Sequence, residues 1–265
     1  MTRTALVTGA SAGIGAALAR EFASHGYDLV LVARREERLQ QVALELRDRF
    51  GRNAVVLPND LSVPDAPMRL CEELDARGIV IDALVNNAGY GVTGQYVRHD
   101  WSTHEQFLHV MTVSVAALTH RLLPPMVSRG FGRVLNISSL AAFVPPSAGH
   151  TLYGASKAFL LRFSASLGLE VARHGVHVTA LCPGFTYSEF HDINGMRARV
   201  SRMPGFLWMD AARVAREGYD AVEAGRLVHI PGRVNRAIAA GARFLPDSVV
   251  HLVNARAGRA YRDAT

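Results

Sequence analysis

What most restricts the fold of this chain is an alternation. Short apolar, β-branched runs occur at Thr4–Thr8, Asp28–Ala33, Ala54–Leu57, Ala83–Asn86, Arg133–Ser138, Val176–Leu181 and Leu227–Ile230. Between them lie segments with a helical spacing of apolar residues, among them Ile14–His25, Arg35–Phe50, Pro67–Arg77 and Gln106–Met126. The strand runs are continuously apolar, which is what a strand covered on both faces requires. Parallel neighbours are joined by long crossovers, so strands separated by helices imply a parallel sheet. The expected fold is α/β, a doubly wound parallel sheet of about seven strands with helices on both faces. The 265 residues carry no repeat, linker or low-complexity tract, and a single domain over 1–265 is expected. Sheets of this kind bind ligands at the carboxyl ends of their strands, so the site residues are sought there.

Composition narrows the function classes. Cys71 and Cys182 have no metal-like spacing and read as two free thiols in a reducing compartment. The N-terminus enters a strand at once, and no apolar run is expected to span a membrane, which points to a cytoplasmic protein. The net charge of +6 is concentrated in the last quarter, where twelve arginines face six acids from Arg197 onward. A membrane-surface or acidic partner is one reading of that region; a solvated basic face is the plainer one. No nucleic-acid motif is present. His99, His104 and His109 step by five and cannot share a helix face, so no metal site is expected. His174 and His177 flank a turn and a strand start and read as structural. Lys157 is the only lysine, beside 28 arginines. A lone lysine in such a chain points to a task for a compact point charge that a planar guanidinium cannot perform.

The first strand runs into Thr8-Gly-Ala-Ser-Ala-Gly-Ile-Gly15 and then a helix. Gly9 permits a sharp turn, and Gly13 and Gly15 let a helix N-terminus approach a pyrophosphate, with Ser11 and Ile14 in the same turn. The second strand ends in Arg34-Arg35, where an NAD site would carry an acid for the ribose. Arginine there suits a 2′-phosphate, so NADP(H) is the expected cofactor. Asp60-Leu61 ends the third strand and is placed to face the adenine; Asn87-Ala88-Gly89 follow the fourth and are placed to line the cofactor.

Chemistry is suggested further along. Tyr153 and Lys157 stand at i and i+4 on one helix face, downstream of Ser138-Ser139. The lysine charge is expected to favour phenolate and lower the tyrosine pKa, giving a usable proton donor and acceptor. A serine hydroxyl can stabilise a carbonyl oxygen as charge develops. An acyl-transfer nucleophile at Ser139 lacks a recognisable elbow. Thr8–Gly15, Asn86–Gly89, Asn136–Ser139, Tyr153–Lys157 and Pro183-Gly184-Phe-Thr186 together resemble, in order, the motifs of the classical short-chain dehydrogenase/reductase family, over at least Thr4 to Phe190. That resemblance implies a Rossmann-type fold and a ketone/alcohol oxidoreductase. It implies Tyr153 as general acid/base, Lys157 on the nicotinamide ribose and Ser139 on the substrate oxygen. Arg34 would mark NADP preference, and Pro183, Gly184 and Thr186 would hold the cofactor. Homo-oligomers are common in the family, and the apolar Tyr153 helix is a possible partner face.

Two departures follow from the alignment of motifs. Met111 stands where the family carries a helix asparagine credited with holding a water in a proton relay. The Ser139–Tyr153 interval is one residue long, so either a loop insertion lies within Pro145–Leu152 or the register shifts and Ser138 is the serine used. Gly89–Trp101 reads as a loop. So does Gly184–Asp210, with Phe190, Met196, Met203, Phe206, Leu207 and Trp208, which is expected to form the substrate loop, and Asp210 is expected to cap the following helix. The loop suggests a lipophilic substrate. The basic extension, 231–265, resembles that of family members acting on ketoacyl or steroid-like ketones. Its stripe Val234, Ile238, Gly241 and Leu245 suits either a membrane surface or, preferably, a helix packed over the substrate pocket. The leading expectation is an NADP(H)-dependent reductase of a lipophilic carbonyl compound; the alternative is a cofactor-binding sensor or scaffold with weak turnover.

Overall fold

The computed structural model describes residues 2–146, 148–187, 204–242 and 244. Seven parallel strands form one sheet in the order β3-β2-β1-β4-β5-β6-β7. They are β1 Thr4–Thr8, β2 Asp28–Ala33, β3 Ala54–Pro58, β4 Ala83–Asn86, β5 Gly132–Ile137, β6 Val176–Leu181 and β7 Val228–His229. The order reverses between β1 and β4, which opens a crevice above their carboxyl ends. Among the described residues the α-helices are α1 Gly13–Ser24, α2 Glu36–Phe50, α3 Ala66–Ala76, α4 Trp101–Leu108, α5 Ser114–Arg129, α6 Thr151–Val171, α7 Ala211–Glu223 and α8 Arg233–Ala242.

The continuous apolar runs are explained by burial on both faces. Ala5 and Val7 of β1 join a core with Leu18 and Phe22 of α1, Leu39 of α2 and Val214 of α7. Leu6, on the opposite face, joins a second core with Leu70 of α3, Leu118 of α5 and Val171 of α6. Phe22 is fully buried and meets Tyr27 and Tyr219 edge-to-face at 5.1 and 5.0 Å. Asn86, Asn136 and Ser164 link β4, β5 and α6 inside the second layer: Asn86 Nδ2 donates to Asn136 Oδ1 at 2.8 Å, and Asn136 Nδ2 to Ser164 Oγ at 2.9 Å.

Several expectations need correction. Gln106–Met126 is not one regular helix: α4 and α5 are joined by a π-helical turn, His109–Val113, that carries Met111. One extra residue in the turn shifts the register without interrupting the apolar pattern. Trp101–Arg129 is 29 residues long with a mean hydropathy of 1.2 in its most apolar stretch, so one segment does have the length and composition of a membrane span. It lies here against α3, α6 and the sheet and contains Pro124 and Pro125. Asp210 caps α7 as expected, its Oδ1 accepting the Ala212 amide at 2.6 Å. On α8 the buried residues are Asn235 and Ala239, while Val234 is exposed, so the inward face is rotated from the expected stripe. Phe190, Met196, Met203 and Leu245, and all of 245–265, lie outside the described residues.

Candidate active site

Close packing shapes the turn after β1. Gly9 has φ +66°, and a Cβ there would lie 2.9 Å from Ala88 Cα; a Cβ on Gly15 would lie 2.2 Å from the Gly9 carbonyl oxygen. Gly15 thus sits under the turn and does not face the cleft, contrary to expectation: its role is to let α1 start directly beneath Gly9. The Ala12 N-cap of α1 makes no side-chain capping bond, and no acid stands in the first turn, which leaves the helix amides for an anion. Thr8 Oγ1 accepts the amides of Asn87 and Ala88, both at 3.0 Å. Asn87 Nδ2 donates to the carbonyls of Thr8 and Gly9 at 3.0 and 3.2 Å. Asn87 therefore clamps the ends of β1 and β4 together, a bracing task the sequence reading had not separated from lining.

Arg34 and Arg35 end the second strand, both exposed, and an Arg35 guanidinium nitrogen donates to Ser11 Oγ at 3.2 Å. At the next strand end Asp60 Oδ1 accepts the Ser62 amide at 3.0 Å. Burial pushes the Asp60 carboxyl up, but hydrogen bonds from Ser62 and the Arg34 charge outweigh it and hold the group below its ordinary value. Beside it, Asn59 Oδ1 is buried with no hydrogen-bond partner. Unpaired buried acceptors are uncommon, and a ligand donor such as an exocyclic amine would satisfy this one. Uncapped helix amides, two arginines and an orphaned acceptor along one groove fit a phosphorylated dinucleotide.

The chemical end is set by β5 and the start of α6. Ser138 is 2% exposed and its Oγ donates to the Lys157 carbonyl at 2.7 Å, so it fastens β5 to α6. Ser139 Oγ accepts the Ala141 amide at 3.1 Å and is hydrogen-bonded to Tyr153. Of the two serines, Ser139 is the one whose hydroxyl meets the tyrosine. Lys157 is 6% exposed, and its Nζ donates to the Ile137 carbonyl at 2.8 Å, 5.7 Å from the Tyr153 ring centre. Burial pulls the ammonium down to about 8. Tyr153 is pushed up by burial, and the Ser139 hydrogen bond offsets this only in part. This reverses the expected direction: the ammonium lies over the ring, its donation goes to a backbone carbonyl, and desolvation of the phenolate dominates.

All the residues expected at the site except Gly15 line one cleft of about 1250 Å³. Pro183 to Thr186 form its far wall, where the Pro183 carbonyl accepts the Leu140 amide at 2.8 Å and Thr186 is buried. Sequence reasoning missed several lining residues, including Asn59, Tyr90, His150, Asn235 and Ile238. Asn59 could have been found from its place beside Asp60. Asn235 has no local signal: it is set by packing, its Oδ1 lying 2.5 Å from where a Gly184 Cβ would be. The lining of the cleft includes the apolar residues Ala142, Val144, Pro145, Leu207 and Ile238. Met111 is 1% exposed and packs under Gly89, where a Cβ would lie 2.9 Å from its sulfur.

The short chain dehydrogenase family model matches residues 3–195. Nodulation protein G of Rhizobium sp. (strain N33) is 39% identical over 190 residues, 72% of this chain and 76% of that protein. A short-chain dehydrogenase from Sphingobium yanoikuyae, solved in complex with NADPH, superposes with a TM-score of 0.80 at 35% identity, covering 91% of this chain and 93% of that one. The bulky-bulky ketone specific alcohol dehydrogenase from Comamonas testosteroni superposes with a TM-score of 0.75 at 29% identity, covering 99% and 96%.

Proposed function

The chain belongs to the short-chain dehydrogenase family and is an oxidoreductase, and from that premise we propose that it reduces a lipophilic ketone to a secondary alcohol with NADPH. The observation that carries this reading is the meeting of Ser139, Tyr153 and Lys157 in the cleft that also carries Arg34 and Arg35. NADPH, when bound, supplies the hydride. Ser139 and Tyr153 hydrogen-bond the carbonyl oxygen, and Tyr153 gives it a proton. Tyr153 carries its proton at neutral pH as an ordinary phenol does, and so can give it in the reductive direction. Lys157 fixes the ribose side and is held in place by the Ile137 carbonyl. Gly9, Gly13 and Ile14 would cradle the pyrophosphate and Arg34 the 2′-phosphate; Asp60 and Leu61 would flank the adenine, and Pro183, Gly184 and Thr186 the nicotinamide.

The apolar lining supports a bulky neutral substrate, as does the likeness to an alcohol dehydrogenase specific for bulky ketones. We further propose that α8 closes the pocket rather than lying on a membrane, since Asn235 and Ile238 line the cleft. The free buried thiols of Cys71 and Cys182 fit the cytoplasm. Exposed Trp101, Phe159 and Leu169 on α4 and α6 suit a homo-oligomer. The test is a panel of ketones, small to bulky, followed by loss of the reduced cofactor. Bulky ketones should be consumed and Tyr153→Phe should lose activity by about a hundredfold or more. Binding of NADPH without turnover of any ketone would instead favour the sensor reading.

A further inference from the structure

Every carbonyl reduced removes the Oη proton from Tyr153, and that proton must be returned from water. The floor of the site is closed. Lys157 is almost fully buried, and one of the three N–H groups of its Nζ is taken by the Ile137 carbonyl. Under Gly89, at the position where the family resemblance places a relay asparagine, Met111 fills the space with a thioether that has no proton to give. The open side of the cleft offers a path to solvent that avoids Met111.

His150 stands on that side. It is the residue before α6, one turn ahead of Tyr153, half-buried and lining the cleft. Its ring centre lies 6.4 Å from that of Tyr153, with the planes inclined by 63°. Its side chain makes no capping bond to α6, while its carbonyl accepts the Tyr153 and Gly154 amides at 3.1 and 3.4 Å, a task the backbone performs whatever the side chain. Imidazole is the side chain that both takes and gives a proton near neutral pH. Among the described residues that line the cleft it is the only histidine. The other titratable or charged groups there are Tyr153 and Lys157 of α6, Tyr90 on the loop after β4, and Arg34, Arg35 and Asp60 at the opposite, β2–β3 end.

We propose that His150 is the relay residue that restores the Tyr153 proton through solvent; this rests on the reading of Tyr153 given above. In reduction, the substrate oxygen takes the Oη proton and leaves a phenolate. Water gives a proton to the phenolate and takes one from the His150 imidazolium, and bulk solvent then reprotonates the imidazole. In oxidation the same protons move outward along the same groups.

The experiment compares wild type, His150→Ala, His150→Gln and Tyr153→Phe with NADPH and a ketone that the wild type reduces. For both His150 variants kcat should fall about tenfold or more at neutral pH. Ketone KM and NADPH Kd, the latter by fluorescence titration, should stay within about twofold. Added imidazole should restore kcat in the variants in proportion to its concentration, with no effect on wild type. Unchanged kcat, or a loss confined to KM without imidazole rescue, overturns the assignment. If Tyr153→Phe is inactive while both His150 variants are unimpaired, the relay alone falls. If Tyr153→Phe turns over at the wild-type rate, the reading beneath it falls as well.

Discussion

Arg34 stands at the end of β2, where selectivity for the unphosphorylated dinucleotide would call for an acid. A guanidinium offers a forked cationic donor to a phosphate instead. Replacing Arg34 by Ala is expected to raise the NADPH KM about tenfold or more and to leave the NADH KM nearly unchanged. Steady-state kinetics with both cofactors decide it, and equal effects would sink the assignment. Lys157 yields a prediction of a different kind. Its folded pKa of about 8 lies below the ordinary 10.5. Between those values the unfolded chain holds a proton that the folded chain has released, so stability at this position rises with pH across that window. Urea titrations at about pH 7.5 and about pH 10 should show wild type gaining on Lys157→Met; a constant difference would mean the ammonium is not desolvated. The identities of Tyr153, Lys157 and Ser139 could be read from the chain because rare residue types stand at fixed spacings beside one another. The direction of the Tyr153 shift could not, because desolvation comes from packing in three dimensions, which local spacing does not encode.

Elements show the same division. Strands and most helices follow from local apolar spacing, which survives folding because each strand is covered on both faces. The π turn His109–Val113 was not legible, since one added residue leaves the apolar pattern continuous. It has consequences beyond Met111: His109 Nδ1 and Ser114 Oγ both meet the Leu61 carbonyl, at 3.1 and 2.9 Å, tying the turn to the β3 end of the cleft. The placement of α8 was likewise hidden. It depends on Glu217 of α7, which meets His229 Nε2 at 3.0 Å, the Gly232 amide at 3.2 Å and Arg213 Nε at 3.1 Å. Burial raises the Glu217 carboxyl, but these donors outweigh it and leave the pKa below the ordinary 4.5. The stabilisation is therefore present above that value and lost as pH falls through the depressed one. Glu217→Gln turns an amide toward donors. It should cost about 1 kcal/mol, lower Tm by about 2–4 °C near neutral pH and raise the ketone KM through α8. Calorimetry and kinetics measure the two effects; an unchanged Tm would show that α8 is held by packing alone.

At the scale of the whole molecule, one reversal of strand order gathers groups from Gly9 to Asn235 into a single cleft, although more than 200 residues of chain lie between them. Such gathering is a property of topology, and the order of the motifs along the chain shows it only once a parallel sheet is assumed. The sole lysine gives this molecule another property. A protease that cuts after lysine has one target bond, between residues 157 and 158, inside α6 and closed to solvent by the fold. Cleavage waits for that helix to open, and its rate follows the open population when closing is fast. Digestion should yield two fragments and no others. NADPH at about a hundred times its Kd should slow the cut by about a hundredfold if the opened chain does not bind it, whereas a chain that does not bind the cofactor would be left unprotected. Each molecule can be nicked once, so the count of nicks in a sample counts the molecules that have opened.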